Sequence, residues 1–254
     1  MTRTTGTSTS HWAGKINFPA MYNAGARFWI TKATDAYSVS GVQFEDSRFE
    51  EYCKGAFDFG KLLTGCYHWL QASVDPTVAA DFYLERYKRY KFDFPPIMDF
   101  EETSVRNTKL FSDYAWRAEM WCKRIEDKTG LKPIIYTAKW YTDYFKPEHL
   151  SWMGAYPLWV ADYSWWANNV TKKPYYMPSA WSTYALWQNS ANGNGRGKEF
   201  GQDAGDAELT IFEGDYSQLL DWLEVDVVQP PLTDSEKLAI LWEHFIAEHP
   251  EEVH

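Results

Sequence analysis

Apolar and polar positions alternate along the chain in the manner of an α/β protein, with short apolar segments separated by amphipathic ones. The apolar segments predict strands at Thr7–Ser10, Phe28–Lys32, Leu63–Leu70, Pro96–Asp99, Pro133–Thr137, Leu158–Asp162, Ala185–Gln188 and Glu208–Phe212. Apolar residues at helical spacing predict helices at Glu45–Phe59, Pro76–Lys88 and Phe111–Lys128. Asp75 is expected to cap the second helix, and Gly130 to end the third.

The last third of the predicted barrel differs from the first two thirds. After Thr137 no long segment has helical spacing, and residues 152–194 are rich in Trp, Tyr, Asn, Ser and Pro. Five βα units are therefore followed by a part dominated by strands. A length of 254 residues suits one α/β barrel, and the pattern predicts an irregular TIM-like barrel rather than a regular eightfold one.

A domain boundary is predicted near residue 225. Residues 226–232 contain Gln229-Pro230-Pro231 and indicate an extended linker after a barrel at residues 1–225. Residues 233–254 begin with a capping box and form an amphipathic C-terminal helix, whose apolar positions are Leu238, Leu241, Trp242 and Phe245. Because so short a helix is not stable alone, we expect it to dock on the barrel, to self-associate or to contact a partner.

Composition limits the classes of ligand. The net charge is −10 and no basic run is present, which argues against nucleic acid as a partner. No apolar run is long enough for a membrane span. Aromatic residues make up 18% of the chain, with 14 Trp and 17 Tyr, which suits a cleft that stacks aromatic rings on sugars.

The sequence indicates no metal site and no cofactor. Cys53, Cys66 and Cys122 are an odd number of thiols in a large chain, and we expect them to be buried and reduced. The polar segment from Met1 to Ser10 is unlike a signal peptide. These features predict synthesis in the cytoplasm and release by another route before action on a cell wall, such as a holin if the gene is carried by a phage.

The strongest chemical signal is the pair Asp99 and Glu101 at the end of a predicted strand. Side chains two apart on a strand point to the same side, and barrel active sites lie at the carboxyl ends of strands. Two neighbouring carboxyls favour one protonated and one ionised group, as glycosidic cleavage requires. The motif alone also fits an acidic pair that caps a helix or binds a cation.

The neighbouring strand ends strengthen the interpretation as a carbohydrate cleft. Polar and aromatic residues follow one another at the ends of four predicted strands, as Tyr67-His68-Trp69, Tyr136-Thr137, Asp162-Tyr163 and Trp187-Gln188. A sugar site needs such stacking faces together with hydrogen-bonding groups. Trp165 and Trp166, in a polar segment, are expected at the rim of the same cleft.

Eight short motifs follow one another along the chain, at residues 6–14 (GTSTSHWAG), 28–34 (FWITKAT), 65–69 (GCYHW), 96–101 (PIMDFE), 133–137 (PIIYT), 157–163 (PLWVADY), 185–188 (ALWQ) and 207–212 (AELTIF). In this order and spacing they resemble glycoside hydrolase family 25, the CH-type lysozymes or N-acetylmuramidases. The resemblance implies a flattened (β/α)5(β)3 barrel. It implies hydrolysis of the β-1,4 bond between N-acetylmuramic acid and N-acetylglucosamine in peptidoglycan, with retention of configuration.

The resemblance also implies roles for individual residues. It assigns Glu101 as the acid/base and Asp99 as the second catalytic carboxylate. Together with the strand-end pattern it predicts a set of substrate-binding residues: Ser8, Lys32, Tyr67, Tyr136, Asp162, Tyr163, Trp187, Gln188 and Glu208.

Two of these positions depart from the family pattern. The family usually has Asp where this chain has Ser8, and Asp where it has Glu208, with Thr210 in place of the usual Asn. Loss of the first charge should lower the pKa of Glu101 relative to other members unless another acid compensates, and Asp162 is a candidate.

Three alternatives remain open from the sequence. A barrel that binds wall glycan without cleaving it is favoured by Ser8 and Glu208. A chitinase-like barrel would need acids at positions 94 and 97, where Phe94 and Ile97 stand. A structural or adaptor role in a phage particle or lysis system is compatible with the C-terminal helix.

Overall fold

The computed structural model describes residues 3–105, 110–164 and 172–224. The predicted linker at 226–232, the helix at 233–254, and Trp165 and Trp166 lie outside these ranges. Within the described residues the strands are β1 (Thr4–Thr9), β2 (Ala26–Ala36), β3 (Gln43–Glu45), β4 (Leu63–Trp69), β5 (Ile97–Asp99), β6 (Ile134–Ala138), β7 (Leu158–Ala161), β8 (Leu186–Ser190) and β9 (Glu208–Phe212).

Eight of these strands close into a barrel. Neighbours follow the order β1, β9, β8, β7, β6, β5, β4, β2, and β1 pairs with β2 to complete the ring. Six pairings are parallel: β1 with β2, β2 with β4, and then each successive pair from β4 to β8. Strand β9 is antiparallel to both β8 and β1. The chain therefore forms the predicted α/β barrel with helices between the early strands and a final part of strands.

Most helices of the described residues precede β7. They are α1 (Phe18–Asn23), α2 (Phe49–Phe59), α3 (Pro76–Tyr87), α4 (Phe111–Thr129) and the short α5 (Lys139–Thr142) and α6 (Pro147–Leu150), and α7 (Tyr216–Leu223) follows the last strand. Asp75 accepts backbone hydrogen bonds from Thr77 (2.9 Å) and Val78 (3.1 Å), which confirms the predicted cap of α3. The predicted apolar face of α4 is buried, and Gly130 ends the helix in the left-handed conformation.

The predicted boundaries were wrong at three places near the amino terminus. The first strand begins at Thr4 rather than Thr7, and β2 runs on to Ala36. The predicted helix at Glu45 begins only at Phe49, because Gln43–Glu45 pairs with the extended end of β2 as β3. A strand of three residues is too short to produce a readable alternation.

An ion pair and a hydrogen bond stabilise the β1–β9 pair at the end where β1 begins. Thr4 stands opposite Phe212 in the antiparallel register. Arg3 forms an ion pair with Glu213 at 2.8 Å, and the Thr4 hydroxyl donates to the Gly214 carbonyl at 2.9 Å. These bonds join the first strand of the barrel to the last.

The apolar core lies between the barrel and its helices. Cys53, Cys66 and Cys122 are buried there as free thiols, as predicted. No helix among the described residues is long and apolar enough to cross a bilayer.

Candidate active site

A cavity opens at the end of the barrel where the parallel strands finish. It encloses about 330 Å³ of space, counting the part open to solvent, and is lined by Ser8, Tyr67, Trp69, Asp99, Glu101, Tyr136, Trp159, Gln188 and Glu208. All of the barrel strands except β2 contribute at least one of these residues. The cavity lies where the sequence predicts an active site.

Strand direction explains why Glu208 belongs to this cavity. Asp99 and Tyr136 lie at or near the carboxyl ends of parallel strands, whereas Glu208 is the first residue of β9. Because β9 is antiparallel to β1, its first residue lies at the same end of the barrel and pairs in register with Ser8. One reversed strand thus brings an additional carboxylate to the site.

Strand register places four lining residues at one level. Trp69 is the partner of Asp99, Asp99 of Tyr136, and Tyr136 of Trp159 on four successive strands. The rings of Tyr136 and Trp159 meet edge to face with centroids 4.9 Å apart. The buried Asp99 is thereby flanked by Trp69 and Tyr136, with Trp159 one strand further, which suits the apolar faces and polar edges of a sugar.

Asp99 and Glu101 both hold their protons more tightly than ordinary carboxyls. Asp99 is 5% exposed, and its Oδ1 has no hydrogen-bond partner among the described residues. Burial, and then the charge of Glu101, raise the pKa of Asp99 well above its usual range. Burial, followed by the charge of Glu208, raises the pKa of Glu101 to about 7. A carboxyl with this pKa can act as a general acid near neutral pH.

Glu208 is held by a chain of hydrogen bonds. The Ser8 hydroxyl donates to Glu208 Oε2 at 2.7 Å, and Gln188 Nε2 donates to the Ser8 oxygen at 3.3 Å. Gln188 Oε1 accepts from the Tyr136 hydroxyl at 2.7 Å and from the Tyr163 hydroxyl. Burial raises the pKa of both tyrosines, so their hydroxyls stay protonated and remain donors.

Lys32 supplies positive charge beside the acids. Its ammonium pairs with Asp35 and lies 4.9 Å from the centroid of the Trp69 ring. Its charge lowers the pKa of Asp99, Glu101 and Glu208, although in each case burial outweighs it. Lys32 thus acts on the site electrostatically, while its own position is fixed by Asp35.

Four of the predicted substrate-binding residues lie outside the lining, namely Lys32, Asp162, Tyr163 and Trp187. The contacts of Asp162 and Trp187 are structural. Trp187 is fully buried in the core, and its Nε1 donates to the Asp162 carbonyl at 2.8 Å. The Asp162 carboxylate accepts backbone hydrogen bonds from Ser164, Tyr175 and Tyr176, and a further one from the Ser164 hydroxyl. The structure thus gives both side chains structural contacts.

The acid that compensates for Ser8 is therefore not Asp162. The oxygens of Asp162 accept hydrogen bonds from Ser164, Tyr175 and Tyr176, and the neighbouring acid whose charge raises the pKa of Glu101 is Glu208. The expected lowering of the pKa of Glu101 is opposed by burial and by this neighbour. The sequence named Asp162 only as a candidate, and Glu208 stands at a position where the family already has an acid, so it replaces that charge and does not add to it.

Two tryptophans in the lining were not among the predicted site residues. The sequence singled out Trp69 as the last residue of the Tyr67-His68-Trp69 stretch, at the end of β4, but not as a substrate-binding residue. Trp159 alternates along β7 with Leu158 and Val160, which belong to the core. The alternation in that strand was the signal that could have assigned Trp159 to the interior of the barrel.

No group of three or more His, Cys, Asp or Glu in the described ranges has an arrangement that could hold a metal ion. The side chains that line the cavity can transfer protons, stabilise charge and stack on sugar rings.

Comparisons with known proteins agree with this geometry. The sequence model of glycosyl hydrolases family 25 matches residues 8–198. An N,O-diacetylmuramidase of Arthroderma benhamiae is 29% identical over 221 residues, covering 84% of this chain and 84% of the relative. Lysozyme M1 of Streptomyces globisporus is 27% identical over 227 residues, covering 85% and 69%. The structure of a family GH25 lysozyme from Aspergillus fumigatus superposes with a TM-score of 0.68 at 23% identity, over 87% of this chain and 98% of that one, which shows a shared fold.

Proposed function

Because the chain belongs to glycosyl hydrolase family 25, we propose that it cleaves the β-1,4 bond between N-acetylmuramic acid and N-acetylglucosamine, with Glu101 as general acid and base. The chain is a glycoside hydrolase, and its family acts on the peptidoglycan of bacterial cell walls. The particular bond and the role of each residue are the proposal. The observation that carries it is a partly buried carboxyl, Glu101, with a pKa of about 7 beside the buried carboxyl of Asp99 at the cavity.

The first step is the departure of the leaving sugar. Glu101 donates its proton to the glycosidic oxygen as the bond to the anomeric carbon breaks. Above its pKa the group would be ionised and could not donate, so the raised pKa extends the acid form toward neutral pH. Trp69, Tyr136 and Trp159 border the same space and offer faces for the sugar rings.

The second carboxyl acts on the sugar that carries the breaking bond. The unpartnered Oδ1 of Asp99 is available to accept the N–H of an acetamido group. In that arrangement the acetamido oxygen forms a bond to the anomeric carbon as the leaving oxygen departs. Water then attacks the same carbon, gives its proton to the Glu101 carboxylate and opens the ring intermediate, with retention of configuration.

The direct test uses purified cell walls. Glu101→Gln keeps the shape of the side chain and removes its transferable proton, so turnover should fall by roughly 10²–10⁴-fold. Exposed Glu148→Gln is the matched control and should leave turnover unchanged. The proposal requires new reducing ends on muramic acid in wild-type digests. Glycan binding without such ends would identify a barrel that binds the wall and does not cleave it.

A further inference from the structure

The neutral residue Ser8 and the acid Glu208 face each other across the antiparallel pair of β1 and β9. They are register partners, and a hydrogen bond of 2.7 Å joins the Ser8 hydroxyl to Glu208 Oε2. Ser8 is 2% exposed, and both residues line the cavity. A buried polar group in this position is stabilised by its hydrogen bond, and the bond fixes one oxygen of the carboxylate.

We propose that Ser8 and Glu208 act as one unit, in which the Ser8 hydroxyl keeps Glu208 ionised and the ionised Glu208 keeps the proton on Glu101. This inference rests on the proposed role of Glu101. It makes Glu208 and Ser8 positioning residues for the proton, and neither of them needs to touch the reacting atoms.

The charges around the cavity support this division of roles. A hydrogen bond to an ionised carboxylate favours its charged form, and the Ser8 bond lowers the pKa of Glu208 against the larger effect of burial. An anion near Glu101 disfavours a second ionisation, and Glu208 is the main charge that raises the pKa of Glu101 after burial itself. The Ser8 hydroxyl thus favours the charge on Glu208, and that charge in turn favours the protonated form of Glu101.

Other groups around the site do not replace this arrangement. Several titratable or charged side chains on the surrounding strands interact electrostatically with Glu101, Glu208 or Asp99. They are Lys32, Asp35, Tyr67, Tyr136 and Tyr163, and Asp99 itself interacts with Glu101 and Glu208. The tyrosines are kept neutral by burial, and Lys32 opposes the effect of Glu208. Gln188, which donates to Ser8, is uncharged and links the pair to Tyr136.

The test compares the pH dependence of kcat/KM in four forms of the full chain. Glu208→Gln removes the charge and should move the alkaline limb to lower pH by about one unit. Ser8→Ala should move it in the same direction by less, because Glu208 then binds a proton more readily. The double variant should match Glu208→Gln alone, since the hydroxyl acts only through the carboxylate.

The matched control is Thr210→Val on the same strand. Thr210 is fully buried, and its hydroxyl has no hydrogen-bond partner among the described residues. This nearly isosteric change should leave the alkaline limb in place. Thermal melting of every variant confirms folding before the profiles are compared.

A second readout does not depend on turnover. Carbon-13 NMR of glutamate carboxyls, assigned through Glu101→Gln and Glu208→Gln, reports the titration of Glu101 directly. The inference predicts that this titration moves to lower pH in Glu208→Gln and Ser8→Ala. An unmoved Glu101 titration, or additive shifts in the double variant, would overturn the pairing. If Glu101→Gln kept its activity while the titration moved as predicted, the proposed function would fail and the pairing would stand.

Discussion

The indole nitrogen of Trp187 donates to the backbone carbonyl of Asp162 at 2.8 Å and thereby joins β8 to the residue that follows β7. The neighbouring Trp159 lies on β7, lines the cavity and has no hydrogen-bond partner for its own buried Nε1 among the described residues. Two tryptophans on adjacent strands therefore have opposite roles, one in the packing outside the barrel and one in the site.

We expect Trp187→Phe and Trp159→Phe to separate stability from activity. Loss of the Trp187 hydrogen bond should cost about 1–3 kcal/mol in addition to the lost volume, with turnover preserved in the folded protein. Trp159→Phe should affect turnover more than stability. Chemical denaturation and wall hydrolysis measure the two effects. If Trp187→Phe kept its stability and lost turnover, Trp187 would contact the substrate as the sequence predicted.

Asp99→Asn should reduce turnover by roughly 10²–10⁴-fold and leave wall binding intact, because the carboxylate acts on charge and on an amide hydrogen that matter during the reaction. Pull-down on insoluble walls measures binding, and release of reducing ends measures turnover. Exposed Asp58→Asn is the control for loss of an acidic charge elsewhere. Loss of binding in step with turnover would make Asp99 a substrate anchor instead.

Glu101→Gln should become more stable than the wild type as pH rises. The folded protein holds the Glu101 proton up to a pKa of about 7, whereas the unfolded chain releases it near 4.5, so wild-type stability falls across that window. Gln cannot ionise, and the variant should gain up to about 3 kcal/mol above pH 7 and nothing near pH 4. Urea denaturation at both pH values measures the difference. An equal difference at both values would contradict the raised pKa.

Asp162→Ala should weaken the hold on the backbone of Tyr175 and Tyr176. The substitution leaves the backbone N–H groups of Tyr175 and Tyr176 without their acceptor, at a cost of about 0.5–1.5 kcal/mol each, because both residues are exposed and water can replace the acceptor. Asp162→Asn retains one acceptor oxygen and should be intermediate. Hydrogen exchange of the Tyr175 and Tyr176 amides follows the effect. Unchanged exchange with weaker binding of soluble fragments would show that Asp162 contacts substrate.

The parts of the site that the sequence predicted depend on local spacing. Asp99 and Glu101 share one side of a strand end, and the two-residue period of a strand fixes that relation without knowledge of the fold. Gln188 and Tyr136 followed from their position at strand ends. These residues could be found because each is specified within a few positions of a strong apolar segment.

The parts that the sequence did not predict depend on long-range pairing. The Asp162 carboxylate accepts hydrogen bonds from the backbone N–H groups of Tyr175 and Tyr176, more than ten positions away. No periodicity in the sequence indicates these bonds. Trp187 and Gln188 are neighbours on β8, yet only Gln188 lines the cavity. Alternation shows that the two side chains point to opposite sides, but only the closed barrel shows which side is the interior.

The two ends of the β1–β9 pair differ in function, since one lines the cavity and the other holds the two strands together. Ser8 and Glu208 lie at the cavity, and Arg3 with Glu213 lies at the opposite end, where β1 begins and β9 finishes. An engineer who wants a more heat-resistant enzyme can therefore strengthen the end at Arg3, by tighter ion pairing or a covalent cross-link, at the length of a strand from the proton donor. The same reasoning warns against grafting bulky sequence into residues 191–207, because that segment leads directly into Glu208 at the mouth of the site.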